Sequence, residues 1–96
     1  QQKVVDMYYD YITARQLYDM TTEMVQQRHE VYKRSQNLTK EVILITDTFY
    51  REALDEQVKA RGSFFEKRSR LEQLVGNDIF RQFEANVDAR YTKDKS

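Results

Sequence analysis

The chain's one histidine is the first residue to test for metal binding or catalysis. His29 and Glu30 begin like the zinc-protease pattern His-Glu-x-x-His, in which two imidazoles on one helix face bind the metal. Lys33 stands where the second imidazole must be. A di-iron Glu-x-x-His motif would need glutamate at position 26, and that residue is Gln26. We therefore predict a solvent-exposed histidine without a metal.

Carboxylate pairs are the second feature with potential chemistry. Glu52 and Glu56 lie four residues apart, on one face of a helix. A hydrolytic pair needs a pocket that raises the pKa of one member, whereas Arg51 and Lys59 flank this pair and indicate surface ion pairs. The two glycines are isolated, so there is no glycine-rich phosphate loop, and the chain has no cysteine. We predict a protein that is not an enzyme and uses no cofactor.

Cations are concentrated between residues 59 and 70, together with two phenylalanines and one glutamate. Such a mixture suits contact with nucleic-acid phosphates and stacking on bases. However, nucleic-acid-binding domains usually carry a basic excess across the whole domain, and this chain has 16 basic and 16 acidic residues. Nucleic-acid binding is therefore the alternative prediction rather than the main one. The residues that would make the contact are Lys59, Arg61, Lys67, Arg68 and Arg70.

Composition restricts the fold to helices. The 96 residues include no proline and two glycines, whereas a sandwich or barrel of this size needs turn residues about every 8 to 12 positions. An aromatic content of 12% is too high for a disordered tail. The longest aliphatic run, at 42–45, is far shorter than the roughly 20 residues that span a bilayer. The chain begins with Gln1 rather than Met, so we expect an excerpt or a processed product.

Apolar residues at helical spacing predict one helical domain over residues 1–96. The first helix alone would be a rod of roughly 45–50 Å, which is long for a small domain. The predicted class is all-α, an elongated bundle of three to four helices built on a long antiparallel hairpin. Oligomerisation would complete the bundle if one chain does not. The helices are predicted at 3–34, 38–61, 64–75 and 79–91, with a polar tail at 92–96.

The first turn is predicted at 35–37, where Asn37 can cap the second helix. One uninterrupted helix is the alternative, since neither proline nor glycine stands there. A reversal at this point predicts apolar partners for most layers of the hairpin, because large apolar residues then meet. These include Tyr32 with Val42, Tyr18 with Leu54, and Tyr8 with Phe65.

Two further breaks follow from the glycines. After Gly62, Ser63 and Glu66 form a capping box, which predicts a third helix or a kinked continuation of the second. Gly76 is a good helix stop, and Asp78 is a good N-cap for the last helix.

Two stretches are candidates for contact with a partner protein. The first helix is rich in tyrosine, which suits interfaces, and four consecutive aliphatic residues in the second helix cannot all face one neighbour. We predict a non-catalytic protein–protein interaction module, such as a scaffold, adaptor or chaperone-like bundle, whose partner is another protein or a second copy. A ligand-binding sensor bundle is a third class and would need a cavity. The candidate interface residues are Tyr8, Tyr9, Tyr11, Tyr18, Val42, Ile43, Leu44 and Ile45.

Overall fold

The computed structural model describes the backbone of residues 2–95 and the side chains of residues 2–89. The fold is an elongated helical hairpin with a third helix at one end, 57 Å in its longest dimension. This confirms the predicted all-α elongated bundle of three to four helices, and three are present in the described part of the chain. The elements are α1 (Gln2–Arg34), a short 3-10 turn (Ser35–Asn37), α2 (Lys40–Val75) and α3 (Asn77–Lys95).

The chain reverses slightly later than predicted. Asn37 does not cap α2, because it belongs to the 3-10 turn that continues α1. Leu38 is extended and Thr39 is the N-cap, its hydroxyl accepting a hydrogen bond from the Val42 amide. The later reversal moves every α1 residue opposite a residue further along α2.

The register of the hairpin differs accordingly. The ring of Tyr32 stacks on that of Tyr50, with 6.1 Å between centroids, and the ring of Tyr18 lies 5.6 Å from that of Phe64. The partners predicted for these tyrosines, Val42 and Leu54, are therefore wrong by about two to three helical turns. Moving the turn by two residues moves the residue opposite any α1 position by four, because the two helices run antiparallel. Long aromatic side chains also lean along the helix, which adds to the displacement of their contacts.

The predicted break near Gly62 is wrong. α2 is one helix from Lys40 to Val75, and Ser63 lies inside it instead of capping a new helix. An isolated glycine costs a helix about 1 kcal/mol relative to alanine, which the packing on either side outweighs. Ser63 and Glu66 therefore have the sequence pattern of a capping box although no helix begins there.

Gly76 does end α2, as predicted. Its φ of 87° is a conformation that favours glycine, and its amide donates to the Glu72 carbonyl at 2.9 Å. α3 begins at once, so Asp78 lies in its first turn rather than at the N-cap. The helix continues to Lys95, past the predicted end at residue 91.

Small side chains recur every seven residues along the contact between α1 and α2. A seven-residue repeat is the pattern of a coiled coil, and small residues allow two helices to approach closely. The buried set comprises Ala14 and Thr21 on α1, Ser35 in the 3-10 turn, and Thr46, Ala53 and Ala60 on α2, while Arg28 occupies the position between Thr21 and Ser35. Near the turn the Ser35 and Thr46 hydroxyls lie 2.8 Å apart, and each is also within hydrogen-bond distance of a backbone carbonyl, that of Tyr32 for Ser35 and that of Ile43 for Thr46. Because each hydroxyl has one proton, one hydroxyl donates to the other and the second donates to its carbonyl.

A three-helix core forms where α3 packs on the hairpin. Tyr11, Leu71, Phe80 and Val87 are almost completely buried there. The 19 residues of α3 span about 28 Å, whereas the 36 residues of α2 span about 54 Å. α3 therefore leaves the turn-proximal half of the hairpin as a two-helix structure.

Tyr11 brings a polar atom into this core. Its hydroxyl makes no hydrogen bond of good geometry among the described residues, although the Arg15 guanidinium lies near enough to interact with it. Burial raises the pKa of Tyr11 and the charge of Glu84 adds to it, while the nearby guanidinium of Arg15 acts in the opposite direction. Burial also disfavours the charge of Arg15, but its ion pair with Asp88 outweighs this and raises the pKa of Arg15.

Candidate protein-interaction surface

The hairpin has two sides, and α3 covers only one of them. On that side Tyr8 packs on Phe83, with ring centroids 5.0 Å apart, and Arg15 pairs with Asp88. Residues seven apart share a row on a coiled-coil helix. The row that contains Tyr8 and Arg15 continues to His29, so this row marks the α3 side along the whole of α1.

The opposite side is identified by two contacts at different heights. Near the termini, Asp10 of α1 lies beside Lys67 and Arg70 of α2 in a small crevice. Towards the turn, Arg28 donates to the Phe49 carbonyl at 2.8 Å, and its guanidinium lies 5.8 Å from the centroid of the Phe49 ring. Both contacts cross the hairpin on the side away from α3.

An apolar stripe follows these rows towards the turn. On α1 the row of Asp10 continues at seven-residue steps into apolar residues, and on α2 the row of Arg70 ends in two more. Met20 and Ile45 lie one step further out and widen the stripe. We call this surface the apolar flank, which consists of Leu17, Met20, Met24, Val31, Val42, Ile45 and Phe49.

The apolar flank is solvent-exposed over most of its area. Met20 is 60% exposed, Ile45 is 53% exposed and Phe49 is 51% exposed, and Met24 and Val42 are half-buried. Single exposed apolar residues are ordinary, but a contiguous row on two adjacent helices is typical of an interaction site. The close-packed small residues of the seam explain the exposure, since they leave the larger side chains outside the contact between α1 and α2.

Charged residues of both signs border the apolar flank on each helix. The outer rows of α1 carry Glu23 and Glu30 as well as Arg34. On α2, Glu52 and Glu56 are accompanied by Lys59, whose ammonium lies 4.0 Å from the Glu56 carboxylate. The charges therefore favour neither a strongly acidic nor a strongly basic partner.

The predicted tyrosine face does not form one surface. Tyr11 lies in the core and is unavailable to a partner, and Tyr8 packs half-buried against Phe83 of α3. Tyr18 is half-buried against Phe64. Tyr9 is 61% exposed, although it lies at the end of the hairpin far from the apolar flank. The tyrosines point in several directions because they occupy different rows of α1.

The aliphatic run of α2 is distributed around the helix, as expected for four consecutive positions. Val42 and Ile45 belong to the apolar flank. Ile43 and Leu44 line a separate shallow groove of about 290 Å³ beside Tyr32. Half of the predicted run is thus part of the candidate site.

Most cations of the basic segment are engaged within the chain. Arg68 pairs with Glu84 at 3.0 Å and lies over the Phe80 ring, and Arg70 pairs with Glu66 at 2.9 Å. The other three cations also lie beside an acidic or aromatic side chain. Lys59 lies 4.0 Å from Glu56, Arg61 stacks on Phe65, and Lys67 shares a crevice with Asp10.

His29 is exposed, and its ring lies 5.1 Å from that of Tyr50. Within residues 2–89, no cluster of three or more histidine or carboxylate side chains is arranged to bind a metal ion. None of the helices, over their described residues, combines the length and the apolar character needed to cross a bilayer.

The sequence analysis missed the α1 half of the apolar flank. Leu17, Met24 and Val31 follow the general apolar spacing of the first helix, which by itself does not distinguish an exposed row from a core row. The overlooked signal is their seven-residue spacing beside a seam of small residues such as Ala14 and Thr21. An apolar row next to a close-packed seam has no room inside a two-helix contact.

Comparison with known proteins gives no relative. No protein family, curated protein or solved structure matches this chain.

Proposed function

We propose that the protein is a non-catalytic interaction module, a scaffold or adaptor that binds a helical protein partner through the apolar flank. The observation that carries this proposal is the contiguous exposed stripe on the side of the hairpin away from α3. Two rows of each helix are enough to form the contact between α1 and α2. A helix with a further exposed apolar row is typical of bundles with more than two helices. A partner that covers the flank would supply the missing layer.

The charges of the basic segment argue against the nucleic-acid alternative. Arg68 and Arg70 would have to leave Glu84 and Glu66 before they could contact phosphates. The total charge is balanced, so no long-range field attracts a polyanion. We expect double-stranded and single-stranded oligonucleotides to show no salt-dependent binding at micromolar protein concentration in fluorescence anisotropy.

The test is site-specific photo-crosslinking in the cells that make the protein. A photoreactive phenylalanine analogue replaces Phe49 in the apolar flank or, as the control, Val58, which is 68% exposed on another face of α2. We expect a protein adduct from position 49, identified by mass spectrometry and lost when Met20→Glu is added. Equal labelling at both positions, or no adduct at position 49, would contradict the proposed function.

A further inference from the structure

We propose that a cleft between the three helices binds a small organic cation, an ammonium or guanidinium group on an apolar or aromatic body. The cleft has a volume of about 320 Å³ and is lined by residues of α1, α2 and α3. This volume is at the lower end of the range of ligand pockets in proteins, so the occupant is a small molecule or a single side chain. The cleft lies on the α3 side of the hairpin, and the inference therefore goes beyond the proposed function of the apolar flank.

The charged groups of the cleft leave one carboxylate without a counter-charge. Arg15 pairs with Asp88 and Arg68 pairs with Glu84, so these four groups neutralise one another. Asp19 is the third carboxylate of the lining. Among the described side chains, none forms an ion pair or a hydrogen bond with it. The cleft as a whole therefore carries one negative charge, and Asp19 is its source.

The position of Asp19 favours a bound cation over a bound anion. Its side chain is half-buried, so water hydrates the carboxylate only in part, and a cation beside it is attracted in surroundings less polar than bulk water. An anion would be repelled by Asp19. It would also have to displace Asp88 from Arg15, or Glu84 from Arg68, before it could contact a guanidinium.

The apolar wall of the cleft is aromatic. Tyr18 and Phe64 both line it, with ring centroids 5.6 Å apart and planes inclined by 31°. The Phe64 ring also stacks on the buried ring of Tyr11, which fixes its position. Aromatic faces attract cations and pack well against apolar groups. The cleft thus offers a carboxylate for a cationic head and ring faces for the body attached to it.

The groove beside Tyr32 lacks this combination. Its one carboxylate, Asp47, already pairs with Arg51 at 3.0 Å. The remaining charged group is the ammonium of Lys40, which would repel a cation. The same ligand is therefore expected in the cleft beside Asp19 and not in this groove.

The test is a nuclear magnetic resonance titration of the isotope-labelled chain at pH 7 with two probes that share one body. Phenethylamine is a cation at this pH, and 2-phenylethanol is its neutral counterpart. We expect phenethylamine to cause saturable shifts of the Tyr18, Asp19 and Arg68 amides, with half-saturation in roughly the millimolar range. The alcohol should bind about tenfold more weakly, because it cannot compensate the charge of Asp19.

Three variants assign the binding to these side chains. Asp19→Asn keeps the shape of the carboxylate and removes its charge, so it should weaken phenethylamine about tenfold and leave the alcohol unchanged. Asp55→Asn is the matched control, since it removes an exposed carboxylate of α2 outside the cleft, and it should change neither affinity. Tyr18→Leu keeps an apolar wall but removes one ring face, and it should weaken phenethylamine by roughly threefold.

Two further probes distinguish a free amine from a basic side chain of another protein. The acetylated amides of lysine and arginine present those side chains as a peptide would. Tighter binding of either one than of phenethylamine would support a side chain as the occupant, and the reverse order would support a free amine.

The site is wrong if none of the three cations causes saturable shifts, or if phenethylamine and the alcohol bind equally. An unchanged affinity for phenethylamine in Asp19→Asn would overturn it as well. None of these results depends on the crosslinking at position 49, so the cation site and the proposed function can fail separately.

Discussion

Arg28 crosses the hairpin to Phe49, donating a hydrogen bond of 2.8 Å to its carbonyl oxygen while its guanidinium lies over the aromatic ring. The contact joins α1 to α2 at the middle of the apolar flank. The contact therefore depends on the register of the hairpin, because a shift of α1 along α2 by one turn would separate the two residues. The same register determines which side chains lie together on the proposed interface.

Replacing Arg28 by alanine should lower the free energy of unfolding by about 1 kcal/mol. The change removes one charge-assisted hydrogen bond and one cation–π contact at a partly exposed site. Urea denaturation followed by circular dichroism, at one fixed protein concentration, measures the difference. Arg51→Ala is the control, since it removes only a surface pair with Asp47 and should cost less than 0.5 kcal/mol or so. Equal losses would show that the Arg28 contact does not stabilise the hairpin.

The two glycines should respond in opposite directions to alanine. Gly62 lies inside α2 with open space around the added methyl group, so Gly62→Ala should raise the free energy of unfolding by about 0.5–1 kcal/mol. Gly76 has a φ of 87° and a ψ of 163°, a region that is essentially restricted to glycine, so Gly76→Ala should lower it by about 1–3 kcal/mol. Thermal denaturation of both variants checks the pair. Stabilisation at position 76, or destabilisation at position 62, would show that the helix break lies elsewhere.

Leu71 anchors the three-helix core and is completely buried. Leu71→Ala should lower the free energy of unfolding by about 3 kcal/mol, because it removes apolar contacts and leaves a cavity. Leu74→Ala, one turn along the same helix at a 39% exposed position, should cost about 1 kcal/mol or less. Denaturation of the two variants under identical conditions distinguishes them. Similar losses would mean that α3 does not cover Leu71 in solution.

Tyr11 should make the fold sensitive to alkali. Because burial raises the pKa of Tyr11, the folded chain keeps the phenol proton at a pH where the unfolded chain releases it, near pH 10. The contribution of Tyr11 is therefore complete below about pH 10 and is lost as the pH rises further. Tyr11→Phe removes this dependence and also the unsatisfied hydroxyl.

The measurement for Tyr11 is the difference in unfolding free energy between the unmodified chain and Tyr11→Phe at pH 8 and at pH 11. Titration of the other groups is common to both proteins and cancels. The variant should be at least as stable at pH 8 and should gain relative stability at pH 11. A difference that does not change with pH would show that the hydroxyl is accessible to water.

The fold was largely predictable because its signals are local. The absence of proline and the apolar spacing indicated long helices, and Gly76 marked a real end. The register of the hairpin and the continuity of α2 through Gly62 could not be predicted in this way. Packing along the hairpin outweighs the capping box at Ser63, and a long side chain such as Tyr32 contacts residues further along the partner helix than its own backbone position indicates. The candidate site was only partly predictable. Val42 and Ile45 were predicted as interface residues, whereas helical spacing alone does not distinguish Leu17 and Met24 from core residues, and only the seam of small residues excludes them from the contact between α1 and α2.

The most direct test of the proposed function is the yield of protein adducts from a photoreactive residue at position 49, compared between the otherwise unmodified chain and variants that carry one further substitution. Ile45→Glu places a charge on the apolar flank and should remove the adduct, because a carboxylate loses its hydration when a partner covers it. Val58→Glu, on another face of α2, should leave the yield unchanged. An adduct that Ile45→Glu leaves intact, or one that both substitutions remove equally, would contradict binding through the apolar flank.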